Sequence, residues 1–251
     1  MDDMIAGIDI GSVSVSIAVI DGQKKLIHKA GVFHHGDVKK CLTVLLSHKM
    51  MRSVTHVAVT DATPGFVFCH ERYDDQVALI RAAKFLYSAS FDALLHVGGE
   101  KFSLSLFDDT GNYAGARHNT SCAAGTGSFL DQQARRLNLQ GSHEISEYAM
   151  TNRQDRPDIA TRCAVFAKTD LIHAQQQGYN IAQICDGLCY GLAKNIANTL
   201  FKADTFTGKI IFCGGVSQNR SVTRYLESLL NVTLTIDDCA GVYGALGAAL
   251  C

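Results

Sequence analysis

A strand, a glycine turn and an alternating second strand occur twice in this chain, about 87 positions apart. Ile8-Asp9-Ile10-Gly11-Ser12 aligns with Leu95-His96-Val97-Gly98-Gly99, and Val15 to Asp21 aligns with Phe102 to Asp108. In the first copy Val13, Val15, Ile17 and Val19 alternate with Ser14, Ser16 and Ala18, the period of a half-buried antiparallel strand. The alternative is a chance match between two short hairpins. If the repeat is genuine, the chain folds as two related lobes that each open with the same hairpin, and two glycine turns facing across a cleft could clasp a polyphosphate. Asp9 ends its strand beside Gly11, Ser12, Val13 and Ser14. Backbone N–H groups and a hydroxyl there could face a phosphate while the carboxylate orients a hydrated cation. The competing reading is ordinary turn chemistry, since Asp and Gly dominate turns.

The second concentrated stretch is His118 to Asp131, which places a thiol, a small-residue loop and a helix start in one run. Ala123, Ala124, Gly125 and Gly127 let the backbone approach another body, either a ligand or a second subunit. Phe129, Leu130, Gln133, Ala134 and Leu137 then recur at helical spacing, with Thr126 or Ser128 as the N-cap candidate. A loop feeding a helix N-terminus suits an anion. Read blandly, it is a tight strand-to-helix loop with Cys122 as a small buried hydrophobe.

The remaining chain alternates strands and helices. Strands are expected at Lys25–His34, Val54–Thr60, Tyr113–Arg117, Lys209–Phe212 and Val232–Ile236; helices at Val38–His48, Asp75–Ser88, Ile145–Met150, Cys163–Gln177, Ile181–Phe201 and Val222–Leu230. Cys185 and Cys189 sit at helical spacing and read as core residues. Cys213-Gly214-Gly215-Val216-Ser217 follows a short buried strand, the place where an open α/β sheet admits a nucleotide. Gly241 to Leu250 forms a closing helix with one small-residue face, expected to seal a lobe interface.

At 251 residues, 47% apolar and 19% charged, the chain can bury a large core as one domain or two lobes. A net charge of −1 provides no broad basic field for nucleic acid. No apolar run reaches the roughly 18 residues of a membrane span, and the acidic Met-Asp-Asp-Met start is unlike a signal peptide. A cytoplasmic protein is expected. Nine cysteines at irregular spacing are then reduced thiols or metal ligands.

Asp9-Ile-Gly-Ser, Val97-Gly-Gly, Cys122-Ala-Ala-Gly-Thr-Gly-Ser-Phe-Leu, Cys163-Ala-Val-Phe-Ala-Lys-Thr-Asp, Phe212-Cys-Gly-Gly-Val and Tyr243-Gly-Ala-Leu-Gly-Ala-Ala occur in this order. Together they resemble the activase family of ATPases that serves 2-hydroxyacyl-CoA dehydratases and benzoyl-CoA reductases. The resemblance is most specific from Asn119 to Cys251. It implies an α/β fold of two ribonuclease-H-like lobes, as in actin, Hsp70 and sugar kinases, with ATP in the cleft. Lobe I would be residues 1–90 closed by a helix at 240–251, and lobe II residues 91–239 with the cysteine loop and the Gly-Gly turn.

For function the resemblance implies ATP-driven electron transfer. One four-iron four-sulfur cluster would be shared by a homodimer, with Cys122 and Cys163 of each chain as ligands; two thiolates per chain make the four a cubane needs only across a two-fold axis. Mg²⁺ and ATP would be held by Asp9, Gly11, Ser12, Val13, Ser14, Gly98, Gly99, Gly125, Thr126, Gly127, Gly214 and Gly215. Glu100 would orient the attacking water. The expected partners are an iron–sulfur dehydratase or reductase and an electron donor such as ferredoxin or flavodoxin, with no nucleic acid and no membrane. Where the family usually has Lys near the end of the first hairpin motif, this chain has Ser16. Where it reads Asp-x-Gly-Gly-Gln-Asp, this chain reads His96-Val-Gly-Gly-Glu100-Lys101. Those departures open two alternatives on the same fold: a module that binds nucleotide without hydrolysing it, and a small-molecule kinase, which would need a carboxylate base in the cleft.

Overall fold

The computed structural model describes residues 3–88, 91–119, 126–160, 164–202 and 206–251. The chain divides into two compact units, Met1–Ser90 with Asp237–Cys251, and Phe91–Ile236. Each unit is built on a five-stranded mixed sheet.

In the first unit the strands are β1 (Met4–Ile10), β2 (Ser14–Ile20), β3 (Leu26–Phe33), β4 (Val54–Thr60) and β5 (Glu71–Tyr73), in the order β3-β2-β1-β4-β5. In the second they are β6 (Ala93–Val97), β7 (Phe102–Phe107), β8 (Tyr113–His118), β9 (Ile210–Cys213) and β10 (Leu234–Thr235), in the order β10-β9-β6-β7-β8. Both sheets join an antiparallel three-strand meander to two further parallel strands. The duplicated pattern persists in register: Asp9 pairs with Ser16 on β2, and His96 pairs with Ser103 on β7. Alternation made the meander legible, and of the parallel strands β9 is a continuous buried apolar run.

The helices are α1 (Val38–Leu46), α2 (Asp75–Tyr87), α3 (Gly127–Arg136), α4 (Ser142–Thr151), α5 (Ala164–Gln176), α6 (Ile181–Leu200), α7 (Arg220–Leu230) and α8 (Tyr243–Leu250). On α2, Asp74 caps the start by accepting from the amides of Gln76 and Val77. A reciprocal Asn180–Gln183 capping box starts α6. Leu188, Leu192 and Ile196 of α6 are buried with Phe102, Phe129 and Phe212 in the core of the second unit. Cys185 and Cys189 join that core, and burial pushes both thiols up to about 12.

Three expectations change. The strand expected at Val232–Ile236 shortens to Leu234–Thr235, and β5 was not anticipated at all. The small-residue face of α8, assigned from sequence to a lobe interface, is used inside the first unit. A Cβ on Gly7 of β1 would lie 1.8 Å from the Ala245 carbonyl oxygen, and one on Gly247 would lie 1.7 Å from the Ala78 oxygen of α2. Only glycine at those two places lets α8 lie against both the sheet and α2. Among the described residues no helix is long and apolar enough to cross a membrane.

Candidate functional site

The first turn closes through the Gly11 amide, which donates to the Ser14 carbonyl at 3.0 Å, leaving Ser12 and Val13 at its tip. His34, the residue after β3, braces it: its amide donates to the Val13 carbonyl at 3.0 Å and its Nε2 lies 3.3 Å from the Gly11 carbonyl. Its Nδ1 accepts from the Gly36 amide at 3.0 Å, so the tautomer with the proton on Nε2 satisfies both ring nitrogens.

Asp9 stands at the end of β1 before this turn. The Thr60 hydroxyl donates to its Oδ1 at 2.6 Å, a charge-assisted bond reaching over from the neighbouring parallel strand. A Cβ on Gly244 would lie 2.6 Å from its Oδ2, so the second residue of α8 must be glycine for the carboxylate to seat there. The first turn of a helix also favours negative charge. Behind Thr60, the Thr63 hydroxyl lies 3.3 Å away and accepts from the Ile10 amide at 3.3 Å. Arg72 of β5 fastens this bend by donating to the carbonyls of Thr60 at 3.0 Å and Thr63 at 2.6 Å. Sequence reading missed Thr60, Thr63 and Arg72; the only local signal was that β4 ends near Pro64-Gly65.

In the second unit His96 occupies the position equivalent to Asp9. Loss of hydration around its ring, with Lys101 as a second cause, pushes its pKa down to about 4. It is a neutral imidazole at neutral pH and cannot replace a carboxylate beside magnesium. The turn that follows closes through the Gly98 amide, which donates to the Lys101 carbonyl at 2.8 Å, with Gly99 and Glu100 between them. Asn119 latches it: Nδ2 donates to the Glu100 carbonyl at 3.2 Å, while Oδ1 accepts from the Phe102 amide at 3.0 Å. The Glu100 backbone is therefore held while its side chain is exposed.

The start of α3 docks on this turn. The Gly127 amide donates to the Gly98 carbonyl at 3.0 Å and the Ser128 amide to the Gly99 carbonyl at 2.9 Å. These first amides are engaged by protein, which departs from the anion role read from sequence for Gly127. Thr126 is the N-cap residue and is buried, without a side-chain capping bond. The double-glycine turn meets the same place. Gly214 has φ of +94°, and a Cβ there would lie 2.3 Å from the Val97 carbonyl oxygen and 2.9 Å from Cδ2 of His96. A Cβ on Gly127 would lie 3.2 Å from Cγ2 of Val216, whereas Gly215 faces open space. Gly98, Gly99, Gly127 and Gly214 are thus gathered at the ends of β6 and β9, two parallel strands of one sheet.

Beyond the double-glycine turn lies a pocket of about 320 Å³ lined by Met150, Ser217, Arg220, Thr223, Arg224, Glu227 and Ile236. Gly125, Cys122 and Cys163 fall outside the described residues. Among the described residues no group of three or more His, Cys, Asp or Glu side chains is placed to hold a metal. Cys185, Cys189 and Cys213 are buried in the core of the second unit, so they do not compete as cluster ligands.

Two sheets of one topology, each with a hairpin glycine turn, define the actin, Hsp70 and sugar-kinase class of fold. Within that class the chain belongs to the BadF/BadG/BcrA/BcrD ATPase family, which it matches over residues 6–251. It is similar to the solved activator of the 2-hydroxyisocaproyl-CoA dehydratase from Clostridium difficile with bound ADPNP, at 22% identity and a TM-score of 0.86, over 100% of this chain and 93% of that one. Among relatives, it is 30% identical over 157 residues to the 2-hydroxyisocaproyl-CoA dehydratase activator of Clostridioides difficile, covering 62% of this chain but only 58% of that protein. It is 26% identical to the (R)-2-hydroxyglutaryl-CoA dehydratase activating ATPase of Acidaminococcus fermentans, over 97% of this chain and 95% of that one.

Proposed function

We propose that this protein is an ATP-dependent reductive activator that passes low-potential electrons to an iron–sulfur enzyme of the 2-hydroxyacyl-CoA dehydratase or benzoyl-CoA reductase type. The observation that carries ATP use is the seating of Asp9, aimed by Thr60 and backed by Gly244 beside a glycine turn. Asp9 would hold hydrated Mg²⁺, and Gly11, Ser12, Val13 and Ser14 of the first turn and Gly98 and Gly99 of the second are the candidates for holding phosphates. Gly214 and Gly215 would lie against the nucleoside, whose base the neighbouring pocket would take.

Cys122 and Cys163 of two chains would supply four thiolates, and a four-iron four-sulfur cluster held by them supplies a low-potential one-electron carrier. Thiolate is the ligand type that such a cluster takes, so the donor set fits that group. A homodimer is required for the ligand count. The family relationship supports the dehydratase-like partner; a ferredoxin or flavodoxin would deliver electrons, and the setting would be the cytoplasm.

Glu100 would orient the attacking water from its latched turn. Replacing it by alanine should lower ATP turnover by about 10²-fold with little loss of nucleotide binding. A second reading, a module that binds nucleotide without hydrolysing it, is favoured by the neutral His96 where the family has a carboxylate. Phosphate release separates the two. Brisk turnover in the wild type that falls in Glu100→Ala supports the activator. Background turnover that rises only when His96→Asp and Lys101→Asp are combined supports the silent module. Brisk turnover untouched by Glu100→Ala would remove both the assigned role and the silent module.

A further inference from the structure

Asp186 of α6 is only 4% exposed, and no step above uses it. Its Oδ1 accepts from the Tyr225 hydroxyl at 2.6 Å and from Nη2 of Arg224 at 3.3 Å. Its Oδ2 accepts from Nδ2 of Asn152 at 3.0 Å. Arg224 and Tyr225 belong to α7. Asn152 begins the strap of residues 152–160, which joins α4 to the sequence leading into Cys163.

The strap is bound along one face of α6. Nε2 of Gln183 donates to the Asp155 carbonyl at 2.8 Å, and a Cβ on Gly187 would lie 2.5 Å from the Pro157 carbonyl oxygen. The Arg156 guanidinium lies 3.8 Å from the Tyr190 ring centroid and 5.2 Å from that of Tyr225. Gln183, Asp186, Gly187 and Tyr190 recur at spacings of three and four, so the helix holds the strap at successive turns. Ile159 is buried in the core, and the Ala160 amide donates to Asp170 of α5 at 2.8 Å.

Arg224 has two neighbourhoods. Its side chain is 44% exposed and lines the 320 Å³ pocket, yet it also pairs with the buried carboxylate. A ligand in that pocket would compete for the guanidinium. A buried carboxylate that gains or loses a cation must readjust its other donors, because leaving it under-compensated is costly. Here those donors are Asn152 at the head of the strap and Tyr225, whose ring carries Arg156.

We propose that Asp186 is a positioning residue joining the pocket to the strap, so that a nucleoside engaging Arg224 resets the hold on Asn152 and Arg156. This rests on the nucleotide reading of the pocket. A purely structural clamp would hold the strap equally with and without nucleotide, which gives the test its readout.

Hydrogen exchange of the full chain is measured with and without saturating magnesium ADPNP, comparing residues 154–160 with residues 214–218. In the wild type both segments should change by about threefold or more in exchange rate. In Asp186→Asn and in Tyr225→Phe, neither of which lines the pocket, the 214–218 response should persist while the strap response is lost. Arg224→Lys, which keeps the charge, should retain part of the strap response. An unaltered strap response in both Asp186→Asn and Tyr225→Phe overturns the relay, as does a wild-type strap indifferent to nucleotide while 214–218 responds. If neither segment responds in the wild type, the nucleotide reading of the pocket fails and the relay falls with it. Tyr225→Phe removes one hydroxyl and keeps the ring, so the test survives if Asp186→Asn does not fold.

Discussion

Anaerobically prepared wild-type protein should carry about four irons per dimer, and Cys122→Ala or Cys163→Ala should each reduce that to near none. A cubane held by two thiolates from each of two chains loses half its ligands when one position is changed, because the substitution is present in both chains. The control is Cys185→Ala. That thiol is enclosed in the helical core and burial pushes it up to about 12, so it is no thiolate at neutral pH and its loss should leave iron content unchanged. Cys185→Ala should still lower the melting temperature, since a filled core position is emptied. Iron and sulfide counts alongside native mass decide the matter. Full iron in either Cys122→Ala or Cys163→Ala would refute the cluster assignment.

The largest expected effect on stability is that of Gly7→Ala. Its new methyl would stand 1.8 Å from the Ala245 carbonyl oxygen and 2.7 Å from the Ala249 nitrogen, both backbone atoms of α8. No rotamer can relieve that, so the helix must lift from β1. The cost should be about 3 kcal/mol or more, a fall of roughly 6–12 °C in melting temperature for a chain of this size. Because Gly244 of the same helix seats Asp9, ATP turnover should fall too, at temperatures where the protein is still folded. Gly65→Ala is the matched control: nothing lies within 4 Å of its Cβ position, and it should change stability by no more than about 0.5 kcal/mol. A Gly7→Ala protein melting with the wild type would show that α8 does not lie on β1 as described.

What could be read from the sequence was what is local. Serine–aliphatic alternation marks β2 and β7, and the two hairpins match in register down to Asp9–Ser16 and His96–Ser103. Glu71-Arg72-Tyr73 has no such signal: three residues with two charges become a strand only by pairing with β4. The support of Asp9 was hidden for the same reason, since Thr60 is remote in sequence and meets it through a parallel strand pair. The α3 N-terminus looked like an anion site because its small residues and cap candidates are local, whereas the carbonyls of Gly98 and Gly99 that engage its amides come from another element. Arg224 was read only as part of a helix and Arg220 was not singled out at all, because a pocket wall has no periodicity of its own.

The discontinuity of the first unit has a consequence for how the chain is made. Asp237–Cys251 leaves the ribosome after every residue of Phe91–Ile236, so the unit begun first is finished last. The contiguous unit can close while the earlier sheet still lacks the helix that fits over Gly7. Closing the long loop between β1 and α8 costs little more than closing a short one, since the entropy grows only with the logarithm of length. The delay is therefore one of timing more than of energy, and it reverses the usual order in which the N-terminal unit folds first. Until α8 arrives, the emerging chain carries a half-covered sheet, the stage of its synthesis most open to aggregation.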